Sequence, residues 1–135
     1  MLAQSSFNHS EYVGIPFKSR GRCRDGIDCW GLVKLVYRDI LGIELRDYAI
    51  DAHDVLTVSN AVQEHEGWAD TNDPKLFDLA VMSLCRKRIA NHVGIYLGNS
   101  RVLHITDLGN SLCSRIDIGP WKSRLIGYIT LKKKD

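Results

Sequence analysis

Proline is scarce in this chain, with 3 among 135 residues, and glycine is ordinary at 11, so the composition is neither collagenous nor linker-like. An excess of charge is missing too. The 18 Lys and Arg face 16 Asp and Glu, and a formal charge of +2 is far below what a phosphate-neutralising surface requires, which excludes nucleic acid as an expected partner. No apolar run approaches the ~18 residues of a membrane span. Met1 to Tyr12 shows neither the basic start nor the apolar run of a secretory signal, so the expectation is a chain made in the cytoplasm. Lys132, Lys133 and Lys134 read as a solvated tail. No Cys-x-x-Cys pair occurs among Cys23, Cys29, Cys85 and Cys113, and the five histidines lack short paired spacing. Free thiols, no metal and no cofactor are therefore expected.

What is present is an ordinary globular composition, 44% hydrophobic and 25% charged, at a length suited to one domain over residues 1–135. From Asp28 to Gly42 apolar residues recur at 29, 32, 33, 36, 37 and 40, the spacing of a half-buried helix. Asp28 is a suitable N-cap and Gly42 a suitable stop. A second helix is expected from about Val55 to Glu66, capped by Asp54, then a loop from Trp68 to Lys75. Beyond it the period shortens to two, and Leu76–Leu84, His92–Leu97, Arg101–Thr106, Leu112–Ile118 and Arg124–Leu131 read as strands. Helices first and strands later imply an α+β fold, helices packed on a mostly antiparallel sheet.

The helix frame puts Cys29 in the first turn, where the macrodipole and backbone N–H groups favour thiolate. Cys23, Cys85 and Cys113 read as small core residues. A thiolate needs a base that can also protonate a leaving amine, and histidine suits both tasks. Two histidines stand in one expected hairpin. Placing its apolar sets on one face sets residue 97 opposite 101, through a loop Gly98-Asn99-Ser100 or an equivalent bulge. His104 then faces Gly94 and lies diagonally from His92, within the ~7–8 Å of such neighbours, as a base and its orienter would. His9, His53 and His65 read as surface residues.

Tyr12-Val13-Gly14-Ile15-Pro16-Phe17, Gly26-Ile27-Asp28-Cys29-Trp30-Gly31-Leu32-Val33, Asn91-His92-Val93-Gly94-Ile95-Tyr96-Leu97-Gly98 and Leu103-His104 together resemble the NlpC-type cell-wall cysteine peptidases, a papain-like group. The resemblance implies Cys29 as nucleophile, His92 as base and His104 as the third member. It implies Tyr12 as a tyrosine lying over the thiol, and Asp28 as a residue that shapes the site or meets the substrate's amino end. The implied reaction is amide hydrolysis through an acyl-enzyme, on the D-glutamyl to diamino-acid bond of peptidoglycan stem peptides. Its oxyanion would be held at the helix start, above all by the Cys29 N–H.

Trp30, where secreted members usually have Ser, the pair Phe77-Asp78, where Gly-Asp is common, and the missing signal resemble the phage and prophage tail-tip branch. The expected setting is thus the virion tail, acting on the cell wall, with tail-tip proteins as partners. Two alternatives stay open: a tail-tip assembly component with the peptidase fold, and a papain-like amidase or acyltransferase on another amide. Arg20, Arg22 and Arg24 read as an exposed basic loop without a role, contact with substrate carboxylates being the alternative.

Overall fold

The computed structural model describes residues 7–45, 68–84 and 92–132. The expected helix over residues 55–66, with His53 and His65, and Cys85 fall outside them. A 3₁₀ turn, His9–Tyr12, leads into a short hairpin of β1, Arg22–Cys23, and β2, Gly26–Ile27. Helix α1, Cys29–Val36, follows at once and widens into a π turn, Tyr37–Leu41, closed by Gly42 in the left-handed region. The expected helix thus begins and stops where its end signals stand, and only its last turn is irregular.

Among the described residues six strands form one sheet, in the order β3-β8-β4-β5-β6-β7, with each of these pairings antiparallel. They are β3, Trp68–Thr71; β4, Leu79–Met82; β5, His92–Gly98; β6, Arg101–His104; β7, Leu112–Arg115; and β8, Leu125–Leu131. Two sequence expectations need correction. The stretch from Trp68 opens with a strand rather than a loop, because Trp68 to Thr71 pair along β8 as the sheet edge. A single edge strand of four residues is too short and too polar to show a period. Between β7 and β8 stands a short helix α2, Gly119–Arg124, with Pro120 in its first turn.

The sheet is buried on both faces. On one, α1 packs Leu32, Val33 and Val36 with Leu79, Val93, Ile95, Leu103 and Ile129. On the other, Ala80, Met82, Val102 and Ile116 gather with Trp121 of α2, Tyr96, Leu125 and Tyr128. That second cluster covers the sheet face on which the histidines stand.

Phe77 adopts φ +79°, a backbone region that a side chain rarely enters. Its carbonyl accepts the Tyr37 hydroxyl, its N–H donates to the Tyr96 carbonyl at 3.0 Å, and its ring packs on Phe7 at 5.0 Å. The aromatic contacts hold a conformation that a glycine would adopt without strain.

Candidate active site

Asp28 builds the start of α1. Its extended backbone turns the carboxylate onto the Gly31 N–H at 2.8 Å, while its carbonyl accepts the first helical bond from Leu32 at 2.9 Å. The preceding hairpin closes on the same group: Arg22 pairs with Oδ1 at 2.8 Å, and the Arg20 N–H donates to Oδ2 at 3.1 Å. Gly31 is required here, because a Cβ would run into the Gly21 carbonyl and lie 2.8 Å from Ile27 Cγ1. Arg22 therefore has a structural task, which corrects the reading of its loop as idle. Arg24 has one as well, lying 4.6 Å over the Tyr12 ring and donating to the Glu11 carbonyl at 2.8 Å.

This architecture buries Cys29, at 2% exposure, in the core beneath α1. The Val93 N–H, which belongs to the peptide following His92, bears on its sulfur together with the Trp30 N–H. Burial nevertheless pushes the thiol up to about 12, the Asp28 carboxylate adds to the rise, and those two N–H groups and Arg22 only partly oppose it. The expected bias toward thiolate is thus reversed in the resting protein. Desolvation of an anion outweighs a helix start when the cap itself carries negative charge.

The hairpin of β5 and β6 has the register read from its pattern. Ile95 pairs with Leu103 and Tyr96 with Val102, and a bulge then sets Gly98 opposite Arg101. The turn residues Asn99 and Ser100 both have positive φ, at 54° and 61°, the geometry of a tight two-residue hairpin. His92, Gly94 and His104 consequently share a face. A Cβ on Gly94 would clash with Val102 and lie 2.9 Å from the His104 Cβ, so glycine is what lets the second histidine approach.

The two imidazoles meet through His92 Nε2 and His104 Nδ1, 2.7 Å apart, and both are buried. Trp121 seals the pair, stacked on His92 at 5.6 Å and edge-on to His104 at 4.7 Å. Among the described residues nothing bonds Nδ1 of His92, which leaves it as the nitrogen able to take a proton. Burial holds His92 well below the usual histidine range, with His104 adding to the effect, and burial holds His104 at about 4. Both rings are neutral at physiological pH. Pattern reasoning missed Trp121 and Ser114, whose Oγ lies 2.8 Å from His104 Nε2. Alternation along β7 places Ser114 on the histidine face, but only the register with Val102 brings it to the ring.

Tyr12 is buried in the same core cluster as Cys29 and donates its hydroxyl to Asp39 at 3.3 Å. Asp28 is fully buried, with both oxygens engaged within the chain, and in this structure it shapes the start of the helix that carries Cys29. Cys23 is exposed and Cys113 half-buried, rather than core residues.

Residues 14–130 match the model of the NlpC/P60 family. The chain belongs to the NlpC/P60 family. Tyr12 lies just outside the matched residues. Among curated proteins, the chain is 28% identical over 114 residues to a probable endopeptidase NlpC homolog of Haemophilus influenzae, covering 84% of this chain and 54% of that protein. It is 26% identical over 117 residues to the murein DD-endopeptidase MepS/murein LD-carboxypeptidase of Escherichia coli K12, covering 86% and 55% respectively. The chain thus spans about half the length of these curated relatives. The NlpC/P60 domain of the peptidoglycan hydrolase SagA superposes with a TM-score of 0.60 at 17% identity, covering 95% of this chain and 92% of that one. An NLP/P60-family lipoprotein-like protein of Staphylococcus aureus does so at 0.65 and 23% identity, covering 92% and 39%. These two likenesses establish the NlpC/P60 fold, with the α+β layering expected from the order of elements.

Proposed function

We propose that this domain is a cysteine endopeptidase that hydrolyses an amide in peptidoglycan stem peptides, the D-glutamyl to diamino-acid bond. The observation that carries the reading is the sealed His92–His104 pair, 2.7 Å apart, with His92 next in the chain to Val93, whose N–H bears on the sulfur of helix-initial Cys29. A scaffold has no need of two buried imidazoles 2.7 Å apart.

In this reading Cys29 Sγ attacks the carbonyl carbon while His92 Nδ1 takes the thiol proton, so no free thiolate need accumulate beforehand. The Cys29 N–H holds the oxyanion. His92 returns the proton to the departing amine as the C–N bond breaks. Water, deprotonated by the same nitrogen, then attacks the thioester carbonyl, and the C–S bond breaks as His92 returns that proton to the Cys29 sulfur. His104 keeps the His92 ring oriented, and Trp121 excludes water from the pair. The murein activity in the name of the E. coli relative supports the substrate class. A tail-borne setting has Trp30 beside the nucleophile as its support.

The test is mass spectrometry of defined peptidoglycan fragments, direct and amidated, after incubation with the native protein and with Cys29→Ala under reducing conditions. Stem-peptide cuts that disappear in the variant are expected and would name the bond. Folded, reduced native protein that cuts neither wall type would overturn the reading in favour of an assembly role.

A further inference from the structure

The His92–His104 contact has a proton order that the two rings cannot set alone. A neutral imidazole carries one N–H, so a single hydrogen lies between His92 Nε2 and His104 Nδ1. In one order His92 donates, its Nδ1 is bare, and His104 carries its proton on Nε2. In the other His104 donates, and His92 Nδ1 is already protonated and useless as a base.

Once His92 has accepted a proton, only the first order remains possible. The imidazolium carries hydrogens on both nitrogens, Nε2–H must donate to His104 Nδ1, and the His104 proton must stand on Nε2. The partner that the fold sets at that position is Ser114 Oγ, 2.8 Å away on the neighbouring strand β7. His104 is only 2% exposed, so water is a poor substitute.

We infer that Ser114 is a fourth member of the site, a positioning residue that accepts the His104 Nε2 proton and thereby holds the relay in the order that leaves His92 Nδ1 free. The inference rests on the peptidase reading for its kinetic consequence, but not for its structural one. With the hydroxyl present, the active order satisfies the His104 N–H and the inactive order strands the His92 Nδ1–H; without it each order leaves one ring N–H lacking an acceptor among the described residues. Ser114→Ala therefore removes the bias toward the active order and lets the inactive one gain population. Threonine keeps the hydroxyl, and its β-branch suits a strand.

The test is long-range ¹H–¹⁵N NMR of the histidine rings in native protein, Ser114→Ala and Ser114→Thr near neutral pH, with kcat and KM measured on the same peptidoglycan fragments. The expected result has three parts. Both rings of the native protein and of Ser114→Thr are the Nε2–H tautomer. In Ser114→Ala, Nδ1–H signals gain population at both rings. The kcat of Ser114→Ala falls roughly threefold to tenfold with KM unchanged, and threonine restores it. Native His104 protonated on Nδ1, or tautomers in Ser114→Ala identical to native, would overturn the inference. Absence of cleavage by native protein would overturn the peptidase reading instead, while the ring spectra would still decide the role of Ser114.

Discussion

Arg22 and Asp28 form an ion pair at 2.8 Å across the hairpin that precedes the nucleophile helix, with the carboxylate fully buried and the guanidinium largely so. The pair joins two functions of one residue, because Asp28 also caps α1 through Gly31. Removing the guanidinium leaves a desolvated carboxylate held by backbone N–H groups alone.

Arg22→Ala is accordingly expected to lower stability by about 2 kcal/mol, less than the ~3–5 kcal/mol of a fully buried pair because Arg22 keeps some solvent contact. Urea unfolding midpoints of native and variant protein measure it. An unchanged midpoint would show that the backbone donors suffice.

The thiol of Cys29 should titrate well above an ordinary cysteine, since burial and the Asp28 carboxylate both raise it. The rate of iodoacetamide alkylation, followed by peptide mass spectrometry, is expected to climb with pH later at Cys29 than at exposed Cys23. Asp28→Asn keeps an N-cap acceptor and removes the charge, so it should move the Cys29 profile to lower pH. A Cys29 profile indistinguishable from that of Cys23 would contradict the account.

Acid should weaken the fold through the histidine pair. His92 and His104 are both depressed in the folded chain, His104 to about 4, while the unfolded chain takes up protons from about 6.5. The unfolded state therefore binds more protons as pH falls, and the stability present above about 6.5 is lost on the way to 4, about 3 kcal/mol of it through His104 alone. Thermal unfolding between pH 7 and pH 4 tests this, with His104→Asn expected to flatten the slope. Equal slopes in the two proteins would remove His104 from the explanation.

Gly94→Ala should damage structure and site together. The added methyl meets Val102 and the His104 Cβ at once, for a cost of about 2 kcal/mol, and it pushes His104 away from His92. Denaturant midpoints read the first effect. Loss of peptidoglycan cleavage in protein still folded at low temperature reads the second, and full activity would show that the histidine contact tolerates displacement.

The sequence by itself determined the start and stop of α1, because Asp28 and Gly42 are local signals that act over one turn. It determined the β5–β6 register as well, since alternation with period two sets Val93, Ile95 and Leu103 on one face and the short connection around Gly98-Asn99-Ser100 selects the pairing among those that do so. The histidine pair follows from that register. Tertiary structure alone decided the rest. The charge state of Cys29 depends on burial beneath α1 and on the Asp28 carboxylate, effects of environment that no spacing records. The hydroxyl of Tyr12 goes to Asp39, and Arg22 reaches Asp28 only because the hairpin folds back on the helix start. Trp121 and Ser114 come to the imidazoles from α2 and β7, across strand pairings and a layer contact that close only when the whole sheet has formed.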